Sequence, residues 1–283
     1  MRDEFLDKIF KQHQSCKSCP SKREVSDFFV NLLGVLYADY SDQEISSREA
    51  IDVNLKQLKL DLEALIGGTV SDINSDQNKS KIFFNRLENI YDALNKDVDA
   101  INMGDPAAKN RREVIRSYPG FYAIAAYRIA NEMHNLNVVD LPRIITEHAH
   151  SQTGIDIHPA ATIGEYFCID HGTGIVIGAT TEIGKNVKIY QGVTLGALSV
   201  DKKDANNKRH PTIENGVVIY AGATILGGET VIGANSIIGG NVWLTKSVAP
   251  NTKVYYQARM SSDKYEIENC DESDIHIFKE YNK

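Results

Sequence analysis

Two periods divide the chain. Up to about residue 135, apolar positions recur at three- and four-residue spacings, as in VSDFFVNLLGVLYADYS (25–41), AIDVNLKQLKLDLEALIGG (50–68) and KIFFNRLENIYDALNKDVDAIN (81–102). That spacing keeps one face of an α-helix apolar, so it predicts amphipathic helices that bury a face against each other or another subunit. Gly67-Gly68 ends the second segment as a helix C-terminus would, and the polar stretch SDINSDQNKS (71–80) reads as a link. Pro119-Gly120 introduces a further strong helix, FYAIAAYRIANEMHNL (121–136), and a shorter one from Leu141 stops near Thr153-Gly154.

From Ile157 the period is six. Ile157, Ile163, Ile169 and Ile175 form one series, and Ile177, Ile183, Ile189 and Leu195 a second. Ile213, Ile219, Ile225, Val231, Ile237 and Trp243 form a third, with Ala and Gly filling the steps. Neither a helix nor a pleated strand sustains that period. A coil with three flat sides does, one aliphatic residue pointing inward per side, at about 18 residues per coil. The expected fold class is therefore α+β: an all-helical domain over 1–152, a left-handed parallel β-helix of hexapeptide repeats over 153–260, and a tail over 261–283. The register breaks twice. Ile169 to Ile177 is a step of eight, extruding two residues around HGTG (171–174), and LSVDKKDANNKRHP (198–211) leaves the coil as a polar loop. Excursions from a rigid scaffold are where function concentrates.

Composition narrows the classes of function. A net charge of −7 over 283 residues argues against nucleic acid as the main partner, because phosphate binding needs clustered cations. The apolar runs fall well short of the ~20 residues that span a bilayer, and MRDEFLDKIFKQ has no apolar signal core. A cytoplasmic enzyme is expected. Cys16 and Cys19 form a lone C-x-x-C with no second half; it reads as incidental or structural, with metal binding or redox chemistry as the alternatives.

The local motifs are more specific than the period. GFYAIAAYRIA (120–130), TGIDIHPAATIG (153–164), DHGTGIVIG (170–178), QGVTLG (191–196) and RHPTI (209–213), with GDPAAKN (104–110) before them, resemble the corresponding segments of serine O-acetyltransferases. That resemblance implies transfer of acetyl from acetyl-CoA, the co-substrate, to the L-serine hydroxyl, giving O-acetyl-L-serine for cysteine biosynthesis, with no metal. His171 matches the catalytic base and Asp156 the carboxylate that orients it; a serine hydroxyl needs such a base to attack a thioester at neutral pH. Arg209 and His210 match the residues that hold the substrate carboxylate, and Asp105 and Asp170 those that meet its ammonium group. By the same resemblance Gly196, Ala197, Ala221, Gly239 and Lys246 would contact CoA. The solenoid would form a homotrimer or a dimer of trimers, with sites shared between subunits and L-cysteine as a feedback inhibitor. The chain ends in Tyr-Asn-Lys where members that bind O-acetylserine sulfhydrylase end in isoleucine, which argues against that complex. His158 and Cys168 read as packing residues, and His134, His148 and His150 are given no chemistry. The alternatives are a hexapeptide acetyltransferase for another hydroxyl or amine, a zinc hydratase built from three histidines, and a catalytically silent assembly protein.

Overall fold

The computed structural model of the chain describes residues 2–14, 19–42, 44–68, 73–198, 207–256 and 277–278. Helices come first and a parallel β-solenoid comes after them. The helices are α1 (Arg2–Gln14), α2 (Lys22–Leu36), α3 (Arg48–Gly67), α4 (Ile73–Asn85), α5 (Leu87–Gly104), α6 (Arg111–Ser117), α7 (Pro119–Asn135) and α8 (Leu141–Thr153). Local chemistry sets their ends. Ser21 and Glu24 form a reciprocal capping box at the start of α2. Gly154, in the left-handed region at φ 70°, closes α8. Part of the stretch read as a polar link is helical: α4 begins at Ile73, and a break at Arg86 splits the apolar segment after it into α4 and α5. No helix among the described residues is long and apolar enough to cross a membrane.

The solenoid has three faces of parallel strands. The first holds β1 (Asp156–Ile157), β4 (Val176–Ile177), β7 (Thr194–Gly196), β10 (Thr224–Leu226) and β13 (Trp243–Leu244). The second holds β2 (Thr162–Ile163), β5 (Glu182–Ile183), β8 (Thr212–Ile213) and β11 (Val231–Ile232). The third holds β3 (Cys168–Asp170), β6 (Lys188–Tyr190), β9 (Val218–Ile219), β12 (Ile237–Ile238) and β14 (Lys253–Val254), and β15 (Ile277–Phe278) adds to its end antiparallel. The fold class read from the sequence, helices and then a left-handed parallel β-helix, is the one found. Of the segment read as a tail, only β15 is described, and Cys270 lies outside the described residues, as does Cys16. Cys19 is disulfide-bonded.

The inward columns fill the core. Ile157, Ile163, Ile169, Ile177, Ile183, Ile189 and Leu195 are all buried. Asp156 pairs with Val176, twenty positions on, so the coil carrying HGTG is two residues longer than three sides of six. The third series needs a correction. Ile213, Ile219 and Ile225 point inward, but from there the buried residues are Ile232, Ile238 and Leu244, while Trp243 is 57% exposed. One extra residue at the Gly227-Gly228 corner shifts every later position by one, so Val231, Ile237 and Trp243 sit one place before the inward residue.

The helical half is bolted to the first coil. On α7, Phe121, Ile124, Tyr127, Ile129 and Met133 are buried; each such side chain contributes roughly 1.5–3 kcal/mol relative to exposure. Gly120 lets the start of α7 lie against β3: a Cβ there would stand 2.8 Å from the Ile169 carbonyl oxygen. Arg128 then reaches into the solenoid. It donates to both carboxylate oxygens of fully buried Asp97 at 2.8 and 3.0 Å, and to the carbonyls of Ile163 and Gly164 at 2.8 and 2.6 Å. Asp97 also accepts the Phe167 amide at 2.9 Å. The joint therefore fixes α5, which ends at Gly104, against the start of the third face.

Candidate active site

His171 occupies the corner between the third and first faces, just after β3. Its backbone is left-handed at φ 57° and its side chain is 72% exposed. A non-glycine residue in that region costs roughly 1–2 kcal/mol, so the corner holds the ring out at some expense. Its Nε2 lies 3.6 Å from Asp170 Oδ1. Asp170 is nearly buried, and its other oxygen takes the Lys188 ammonium at 2.8 Å.

Asp105 reaches this corner from the helical half. It caps α5, accepts the Tyr118 hydroxyl at 2.5 Å and the Ala107 amide at 2.8 Å. Those hydrogen bonds, Tyr118's first, hold its carboxyl below the usual range, with help from the charges of Lys188 and His171. Lys188 closes the group by donating to the Gly104 carbonyl at 2.6 Å. Asp105, Asp170 and His171 are thus brought together, and Tyr118 and Lys188, which the sequence reading did not single out, hold two of them. Cys168 lies beneath, buried, its thiol pushed up to about 12 chiefly by burial.

Asp156 stands at the start of the first face, but no hydrogen bond or ion pair joins it to His171 among the described residues. Its Oδ1 lies 3.6 Å from Arg143, which also pairs with Glu147. Glu147, His150 and Asp156 stand close enough to suggest a metal triad, yet the same guanidinium contacts two of its three members and opposes a cation there.

Arg209 and His210 lie on a different edge, the corner between the first and second faces. The Thr180 hydroxyl organises it, accepting the amides of Arg209 and His210 at 3.0 and 3.1 Å and facing His210 Nδ1 at 2.9 Å. The Thr180 amide donates to the same Nδ1 at 3.1 Å, so the ring proton sits on Nε2. His210 packs against Gly178, where a Cβ would fall 2.0 Å from the ring. Burial first, then Arg209 and Lys208, pushes its pKa down to about 4; burial and nearby Arg143 do the same to His158, whose Nδ1 accepts the Ala160 amide. A free histidine titrates near ~6.5. Between these values the unfolded chain binds protons that the folded chain refuses, so stability is lost as pH falls from about 6.5 to about 4. Proton NMR should show both imidazoles neutral at pH 6; a midpoint near 6.5 for either would contradict this.

The five residues matched to CoA binding are also divided. Gly196, Ala197 and Lys246 lie at the ends of strands of the first face, whereas Ala221 and Gly239 lie at the His171 edge. Gly239 is covered by Tyr255, its virtual Cβ 2.7 Å from that ring, so in a single chain its backbone is not open.

The chain is thus a three-sided parallel solenoid with an exposed histidine at one corner, acids beside it and a basic corner on the next edge. No family model matches the chain. A plasmid-encoded serine acetyltransferase of Synechococcus elongatus is 50% identical over 192 residues, 66% of this chain and 60% of that protein. A serine acetyltransferase of Helicobacter pylori is 45% identical over 128 residues, 45% of this chain and 72% of that protein. Serine acetyltransferase isoform 3 of Entamoeba histolytica, solved in complex with cysteine, superposes with a TM-score of 0.76 at 32% identity over 84% of each chain. The chain belongs to the serine acetyltransferase family. It spans about three fifths of the length of the first curated relatives it matches.

Proposed function

We propose that the chain transfers acetyl from acetyl-CoA to the hydroxyl of L-serine. The observation that carries this reading is the meeting of Asp105, from the helical half, with Asp170 and His171 of the solenoid: acids for an ammonium group beside a base for a hydroxyl. His171 takes the hydroxyl proton as the serine oxygen attacks the thioester carbonyl. The tetrahedral adduct collapses with loss of the CoA thiolate, which recovers the proton from the imidazolium, leaving O-acetyl-L-serine and CoA. Asp156 orients the ring once it turns from Arg143. Arg209 and His210, on another edge of the same chain, hold the substrate carboxylate of a neighbouring copy, so the working unit is a trimer or a pair of trimers. CoA lies between neighbouring solenoids, where Gly196, Ala197 and Lys246 of one edge face Ala221 of another and Gly239 becomes available if Tyr255 turns away. L-Cysteine, bound in the Entamoeba relative, competes for the serine site.

Thiol release from acetyl-CoA, followed with L-serine, homoserine and simple sugars as acceptors, tests this directly. L-Serine is expected to give the highest kcat/KM, reduced by added L-cysteine. No preference for L-serine would sink the reading in favour of another hydroxyl or amine acceptor.

A further inference from the structure

Lys188 joins the two halves of the site. It lies on β6 directly beneath β3, with Cys168 opposite it and Asp170 opposite Tyr190. Its Nζ contacts Asp170 Oδ2 at 2.8 Å and the Gly104 carbonyl at 2.6 Å, and stands 4.4 Å from the centre of the Tyr190 ring. The side chain is 16% exposed. Gly104 immediately precedes Asp105, and Asp170 immediately precedes His171. One ammonium therefore ties the loop that carries the first acid to the strand that carries the second. Burial works against its charge, but the contacts with Asp170 and Tyr190 outweigh it and raise its pKa. Two carboxylates and this cation leave one net negative charge beside His171, the complement of a single substrate ammonium.

Removing the cation would have two consequences. Asp170, nearly buried, would lose its counter-charge, and a buried carboxylate without one is driven towards its neutral form. The Asp105 loop would lose the Lys188 hydrogen bond to Gly104 and with it a fixed distance to Asp170.

We propose that Lys188 is a positioning residue for the acceptor's ammonium group, holding Asp170 and the Asp105 loop in one frame. This rests on the acetyl-transfer reading given under Proposed function. Lys188→Met keeps the aliphatic stem and removes the charge. It should raise the KM for L-serine by about tenfold or more, the scale of one lost charge-assisted contact, and leave that for acetyl-CoA within about twofold. Lys188→Arg, which keeps the charge but not the shape of the ammonium, should recover part of the L-serine KM lost in Lys188→Met. An unchanged L-serine KM in Lys188→Met overturns the proposal, as does an equal rise for both substrates, which would mark general loosening of the fold. If that variant does not fold, Lys188→Gln is measured instead; failure of both to fold assigns Lys188 to stability alone and also overturns it. A parent chain that does not acetylate L-serine defeats the acetyl-transfer reading. A parent that does, with a variant of unchanged KM, defeats the role of Lys188 alone.

Discussion

His171→Ala should lower the turnover of the proposed L-serine acetylation by about 10²–10⁴-fold, the usual contribution of a positioned general base, while circular dichroism and the thermal midpoint should stay near those of the parent. The second half of that expectation comes from the corner itself. The His171 side chain is 72% exposed and packs against little, so truncation leaves no cavity. Its backbone is left-handed, a conformation asparagine tolerates well. His171→Asn should therefore be as inactive as the alanine variant and no less stable. A loss below tenfold in both would remove His171 from the chemistry.

Asp97→Ala should cost about 3–5 kcal/mol of stability, because it leaves Arg128 buried with no counter-charge. Urea unfolding with an unchanged slope would measure it, and a change below about 1 kcal/mol would show that the pair contributes little. Arg128 donates to Asp97 and to two solenoid carbonyls, so the damage falls on the seam between helices and first coil. Asp105 reaches the His171 corner across that seam. Activity should fall with stability in this variant even though Asp97 touches nothing in the site.

The six-residue period made the solenoid legible because it maps one residue in six onto the inward position, and no other regular structure produces it. Its later register was not legible for a specific reason. Val231-Ile232, Ile237-Ile238 and Trp243-Leu244 are adjacent apolar pairs, so either member satisfies the pattern, and only the extra corner residue at Gly227-Gly228 decides between them. The helix α4 was hidden because its first turns are polar: Ser80 there is buried by a hydrogen bond to the Lys59 carbonyl, not by an apolar side chain. Motif resemblance named Asp105, Asp170 and His171, and the structure draws them together. It did not name Lys188, because a lysine at an outward strand position reads as a solvated face. Counting one lengthened coil from Cys168 would have found it. Nor could the sequence show that Arg209 and His210 stand on a different edge from His171, since edge assignment depends on how many residues each corner absorbs.

That absorption has a consequence for how such a chain can change. The two-residue extension at HGTG, the long loop before Arg209 and the single residue at Gly227-Gly228 all fall at corners, and in each case the strands on either side recover their pairing. Inside a strand, an added residue would turn the side chains after it outside in, as a one-residue slip does in any sheet. Length is therefore cheap to vary at the edges and forbidden on the faces. Insertions and deletions that a lineage keeps should collect along the three edges, where His171, Arg209 and His210 already stand, leaving new specificities open to trial without rebuilding the stack.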